Sequence, residues 1–362
     1  MSRCRPIAIR TLFDVLAIIA SLFQIGAAQT VASNTAPSQG QPPQVINHAA
    51  APATIEKTDA ALARAKSLLQ DGKVAEAELR VRRYLKEHAN SADGHFLLGY
   101  ALFRKIQADA SGVQMDSSAA AARDGQPKEE TAKASLAEYT EGAKYHDPTA
   151  FDLKVVALDY VLLKDYPDAD KWLTKSLAWN PEDTEGWYYL GRTKYNENRF
   201  EEAIQAFQQC LKMDPASLRA EYNLGLSYQG LGRTEDAATA FRTAIAWQEH
   251  KLNQDSEPFI DLGSLLLDKN QPQEALPYLL QAVAISPQEY RSHEQLGRAY
   301  EHLDQLKKAQ TEFEKAVALA PQYSRLHYVL GQVYRKEGLS EKAKLEFDRS
   351  STLRRDSPSE GH

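Results

Sequence analysis

The chain has two cysteines, three methionines and no excess of positive charge, and beyond its first 28 residues it has no long apolar run. Each shortage excludes something. Cys4 lies in the N-terminal segment and Cys210 far downstream, so a chain cleaved after residue 28 keeps one thiol and no internal disulfide. The absence of C-x-x-C removes zinc knuckles and thioredoxin-like redox sites. The lone Cys210 reads as a small core residue. Net charge is −6, and the first 28 residues are themselves positive, so the rest of the chain is more acidic still. Such a chain lacks the basic face that neutralises phosphates, so nucleic acid is not an expected partner. No G-x-x-x-x-G-K-[ST] or G-x-S-x-G occurs, and His293-Glu294 is not followed by the second His of a metalloprotease helix. No catalytic set, cofactor site or metal site is expected.

What is present is ordinary for a soluble folded chain of 362 residues, with 43% apolar and 25% charged residues. Arg3, Arg5 and Arg10 precede the apolar stretch Thr11–Ala28, which ends in small residues before Gln29. This is the order of a secretory signal peptide, and it predicts cleavage after Ala28. Asp14 shortens the clean apolar core to Val15–Ile25, too short to span a bilayer comfortably. An uncleaved inner-membrane anchor is the alternative. Residues 29–57 read as a flexible linker, and Gln29–Thr54 has no Asp, Glu, Lys or Arg. The implied location is a bacterial periplasm or exterior.

From Thr58 the chain is self-similar with a 34-residue period. Eight units fit: 58–91, 92–149, 150–183, 184–217, 218–251, 256–289, 290–323 and 324–357, with a tail at 358–362. Within a unit, position 7 is apolar (Leu98, Val156, Leu190, Leu224, Leu262, Leu296, Leu330). Position 8 is Gly (Gly99, Gly191, Gly225, Gly263, Gly297, Gly331), and position 20 is Ala from Ala77 to Ala343. Position 24 is large (Tyr139, Leu173, Phe207, Phe241, Leu279, Phe313, Phe347), and position 32 is Pro at Pro181, Pro215, Pro287 and Pro321. Two antiparallel helices need small residues where their backbones approach and large ones to fill the space between. Pro stops the second helix. Helices this short are marginal alone and depend on their neighbours.

This pattern resembles the tetratricopeptide repeat (TPR) family over about 300 residues. The resemblance implies an all-α, right-handed superhelical α-solenoid of about eight helical hairpins. It implies a non-enzymatic scaffold that binds other proteins on its concave face, lined by positions 2, 5, 6, 9, 12 and 13 of the first helices. Those positions supply Tyr188, Arg192, Tyr195, Asn196, Arg219, Tyr222, Asn223 and Gln229 centrally. Toward the C-terminus they supply Arg291, Arg298, Arg325, Tyr328, Gln332 and Arg335. Tyr and Arg are frequent interface anchors, and Arg can grip a carboxylate with two hydrogen bonds. Some family members hold chaperone tails in a two-carboxylate clamp. Arg192 and Asn223 match it in part, but Glu257 and Asp261 stand where cations are needed, so the clamp fails.

The departures from the pattern carry their own expectations. Unit 58–91 has Arg64 and Ala65 at positions 7 and 8, as in an N-terminal cap. Unit 92–149 carries an insertion at about 108–130 that reads as a disordered polar loop, with a partner-binding lid as the alternative. Leu252–Asp255 are inserted before unit 256–289, which suggests a longer second helix in unit 218–251, with Trp247 on it. His293 and His327 share position 4 and read as partly buried packing residues. The leading function is an envelope scaffold or adaptor. The alternatives are a structural protein that self-associates and, least favoured, a small-ligand binder.

Overall fold

The computed structural model describes residues 60–112, 118–249 and 251–356. The leader, the linker and the tail lie outside them. The described residues form sixteen α-helices and no strand. Two compact units divide the chain, one up to Pro181 and one from Glu182. The first contains α1 (Ala60–Gln70), α2 (Val74–Glu87), α3 (Ala92–Gly112), α4 (Ser118–Gly142), α5 (Ala150–Leu162) and α6 (Tyr166–Trp179). The second contains α7 (Thr184–Asn196), α8 (Phe200–Met213), α9 (Leu218–Gly230), α10 (Thr234–Ala246), α11 (Glu257–Asp268), α12 (Pro272–Ile285), α13 (Tyr290–His302), α14 (Leu306–Leu319), α15 (Ser324–Lys336) and α16 (Ser340–Asp356). Within each unit, odd and even helices pair as hairpins stacked in chain order, the α-solenoid arrangement.

The small-against-large pairing read from the sequence is a direct contact. A Cβ added at Gly191 would lie 2.6 Å from the Phe207 ring, closer than two carbons can approach. Phe207, Phe241 and Phe313 are fully buried, as are Ala203, Ala237 and Ala309 one turn before them. A shared core of Leu226, Phe241, Leu262, Leu266, Leu279 and Leu296 runs from α9 to α13, so the α9–α10 and α11–α12 hairpins share one core with the helix that follows them.

Seven hairpins close their first helix in one way. Position 15 has positive φ at Gly72, Lys164, Asn198, Gly232, Asn270, Asp304 and Gly338. The next amide donates to the carbonyl five residues back, as in Asp165 N to Tyr160 O and Arg199 N to Lys194 O, both 2.9 Å. This is the left-handed helix stop that satisfies carbonyls at a helix end. Gly, Asn and Asp tolerate that backbone, whereas the Cβ of a long side chain meets a carbonyl oxygen there. Lys164, at φ 60°, is the exception. Its side chain is exposed. Lys164→Gly is expected to stabilise the α5–α6 hairpin by about 1 kcal/mol, read as slower hydrogen exchange in those two helices.

Two expectations are corrected. The insertion at about 108–130 is not a loop: α3 runs to Gly112 and α4 starts at Ser118, leaving only residues 113–117 undescribed. The alanine run at 119–122 carries the highest helix propensity of any residue type, which outweighs its lack of large apolar groups. Nor does the second helix of unit 218–251 run long. It stops at Ala246 with Trp247 as its C-cap. Buried Gln248 then fixes the inserted residues, accepting from Asp255 N (2.6 Å) and donating to Asp255 O (3.0 Å). The final helix α16 runs for 17 residues and passes position 32, which is Arg355 here and Pro in four earlier units.

Candidate protein-binding face

The first helices of the second unit carry the residues that the sequence singled out, and the structure sorts them into three groups. On α7 and α9, Tyr188 is buried, its ring 6.1 Å from that of Phe207, and the Arg219 guanidinium lies 4.8 Å from the Tyr188 ring. Arg192 and Asn196 follow along α7, both half-buried. Tyr195 stands edge-on to Phe200 at 5.5 Å. Asn223 is buried and its amide donates to Arg219 O at 2.8 Å, an internal helix contact. Gln229 is half-buried near the end of α9.

On α9, α11 and α13, Tyr222 and Arg291 close on two carboxylates. Tyr222 Oη donates to Asp261 Oδ2 (2.6 Å) and Glu257 Oε2 (3.4 Å). Arg291 Nη1 donates to Glu257 Oε2 (2.6 Å) and Nη2 to Asp261 Oδ1 (3.1 Å). The acids that break the clamp pattern thus hold three successive first helices together.

The same pairing continues along the unit. Arg298 meets Asp268 at 3.0 Å, Arg325 meets Glu294 at 2.8 Å and Lys336 meets Glu301 at 2.8 Å, each across one hairpin. Arg291, Arg298 and Arg325 therefore have their charge answered inside the protein, which weakens each as an anchor for an incoming carboxylate. At the end of the array, Tyr328 is exposed, 5.7 Å from Phe347 and under Arg354. Arg335 is exposed and lies 5.7 Å from the Phe347 ring, and Gln332 on the same helix is half-buried.

The histidines at position 4 serve the fold. His293 Nδ1 lies 2.6 Å from Glu312 Oε2, and Nε2 lies 3.0 Å from Pro287 O. His327 repeats this with Glu346 (2.6 Å) and Pro321 O (2.9 Å). His95 repeats it with Glu138 (2.7 Å) and Ala89 O (2.9 Å). Each ring ties the two helices of its hairpin to the carbonyl that ends the preceding unit. With both ring nitrogens engaged, neither is open to a metal, and no cluster of His, Cys, Asp and Glu among the described residues could hold one. Cys210 is 2% exposed, and burial pushes its thiol up to about 11, which keeps it out of the reactive thiolate form. No described helix is long and apolar enough to cross a membrane.

Sequence reasoning passed over two features. One is the acid ladder of Glu257, Asp261, Asp268, Glu294 and Glu301, visible as acids at positions 2, 5, 6, 12 and 13 facing cations one unit later. The other is an aromatic group in the first unit, Tyr100 and Phe151 with Arg104 and Lys154, at positions 9, 2, 13 and 5 of the same register.

The stacked hairpins and their shared first-helix face define a helical-repeat protein-interaction module. Tetratricopeptide repeat family models match residues 62–127, 157–217 and 188–250, 266–332, and 324–357, more than half of the chain. The chain belongs to the tetratricopeptide repeat family, whose repeats are generally non-enzymatic protein-interaction modules. It is 37% identical over 91 residues to the peroxisomal targeting signal receptor of Saccharomyces cerevisiae, covering 25% of this chain and 14% of that protein. It is 39% identical over 81 residues to the PEX5-related protein of Homo sapiens, covering 22% and 13%. The aligned stretch thus spans about a seventh of either relative. The crystal structure of the APC/C hetero-tetramer Cut9-Hcn1 shares the fold, with a TM-score of 0.51 at 15% identity, covering 84% of this chain and 54% of that one.

Proposed function

We propose that this chain is a scaffold without chemistry of its own. On this reading it holds an extended segment of a partner protein against α7 and α9 of the second unit. Tyr188, Arg192, Tyr195, Asn196 and Arg219 form the anchor. The observation that carries this is the Arg219 guanidinium stacked on the Tyr188 ring at 4.8 Å, with Arg192 on the neighbouring helix. A stacked guanidinium is pre-positioned, so less freedom is lost when it grips a carboxylate or carbonyl. The proposed setting is the bacterial cell envelope, and its support is the charge and hydropathy order of residues 1–28.

The test is affinity capture from envelope extract with the full chain as bait, beside a bait carrying Arg192→Glu and Arg219→Glu. A partner captured by the first and lost from the second is the expected result. The same partner on both baits removes the anchor from α7 and α9. Recovery of the bait alone favours a self-associating structural component.

A further inference from the structure

The first unit carries a cluster that the second-unit reading does not use. Phe151, in the first turn of α5, is 47% exposed. Its ring meets that of Tyr100 on α3 edge-to-face, with centroids 5.1 Å apart. Lys154 Nζ lies 5.9 Å from the Phe151 ring. Arg104 Nη1 donates to Tyr100 Oη at 3.1 Å, and its guanidinium lies 5.8 Å from the Tyr100 ring. Two aromatic rings from successive first helices thus form a step with a cation beside each ring.

The face-lining positions of this unit carry charge of the opposite sign to those of α11. At the face-lining positions of α1, α3 and α5 the described ionisable residues are Lys66, Arg104 and Lys154, with Asp93 the lone exposed acid. At the same positions of α11 stand Glu257, Asp261 and Asp268, with no cation. An exposed ring edge takes an aromatic or long aliphatic side chain by edge or offset contact. Guanidinium and ammonium groups held on rings take carboxylates.

We propose that α3 and α5 form a second docking surface, whose ligand is an acidic peptide segment of a partner protein with an aromatic side chain among its carboxylates. The aromatic side chain packs on Phe151 and Tyr100, and flanking carboxylates meet Arg104 and Lys154. This surface lies wholly within the first unit, so it stands or falls separately from the α7–α9 anchor.

The test is a fluorescence-anisotropy titration of the full chain with labelled peptides of core EDWED, EDAED and KRWKR. EDWED is expected to bind saturably, EDAED at least about tenfold more weakly, and KRWKR not at all. Phe151→Ala weakens EDWED binding by at least about tenfold, Arg104→Glu with Lys154→Glu lowers it further, and the charge reversal Lys212→Glu, at an exposed residue outside both surfaces, leaves it unchanged. Circular dichroism melts accompany each variant. If Phe151→Ala alters folding, the charge reversal Arg104→Glu decides in its place. Equal binding of KRWKR, no saturation at millimolar EDWED, or loss with Lys212→Glu but not with the α3 and α5 variants overturns the proposal.

Discussion

Asp159→Asn is expected to stabilise the first unit at pH 7 and to have almost no effect near pH 3. Asp159 lies on α5 with 0% exposure, and neither carboxyl oxygen has a hydrogen-bond partner among the described residues. The Ser135 hydroxyl beside it donates instead to Gly99 O at 2.9 Å. Burial pushes the Asp159 carboxyl well above the ordinary carboxylate range, so the folded protein holds its proton to a higher pH than the unfolded chain does. The sign follows from linkage. Below the unfolded value, near 3.9, both states are protonated and Asp159 carries no pH-dependent cost. As pH rises past that value the unfolded chain releases its proton and the folded chain does not, so stability falls until the folded value is reached. Asparagine has no proton to release, so the advantage of the variant grows from about pH 4 upward. The gain comes from the proton that the unfolded parent releases and the folded parent retains, so it is present at pH 7 and absent near pH 3. Hydrogen exchange in α3, α4 and α5 at the two pH values reads it locally, which suits a repeat array whose units need not unfold together. Equal exchange in variant and parent at pH 7 would place a solvating partner on Asp159.

Arg291→Met is expected to destabilise the hairpins from α9 to α13 by about 3 kcal/mol. Methionine keeps the apolar stem and removes the fork that meets Glu257 and Asp261. The Asp261 side chain is only 8% exposed, and without Arg291 it keeps the Tyr222 hydroxyl but loses its cation. A buried carboxylate stripped of its partner costs more than the pair contributed, because its desolvation remains. Adding Asp261→Leu to Arg291→Met should therefore recover a large part of the loss, whereas a role limited to partner binding predicts no loss to recover. Urea unfolding followed by hydrogen exchange separates these results. The outcome also bears on function: a residue held in an internal fork shows its loss first in stability, and an anchor shows it first in affinity.

The hairpin rule was legible in the chain. Gly at position 8, Ala at 20 and an aromatic residue or Leu at 24 lie within one 34-residue unit, and the contact between Gly191 and Phe207 is the one those sizes demand. The position-15 turn was only half legible. Gly72, Gly232 and Gly338 signal it, whereas Lys164 gives no warning that its backbone is left-handed. The candidate face was legible as a set of positions and not as a site. The register rule found Arg219 and Tyr188 but could not show that they stack. It listed Arg291, Arg298 and Arg325 as open anchors, although each of the three meets an acid on the first helix of the preceding hairpin. It applied equally to α3 and α5, where Tyr100 and Phe151 meet.

The sequence by itself therefore determined the repeat, its phase and the small-to-large packing inside each hairpin, since these depend on side-chain size at fixed helical spacing. Only the tertiary structure decided which cations are answered, which carboxyl is buried without a partner and which aromatic ring stays exposed. Those outcomes depend on the reach of one side chain toward another some thirty residues away, where an ångström separates an ion pair from an open charge, and residue type alone does not carry that distance.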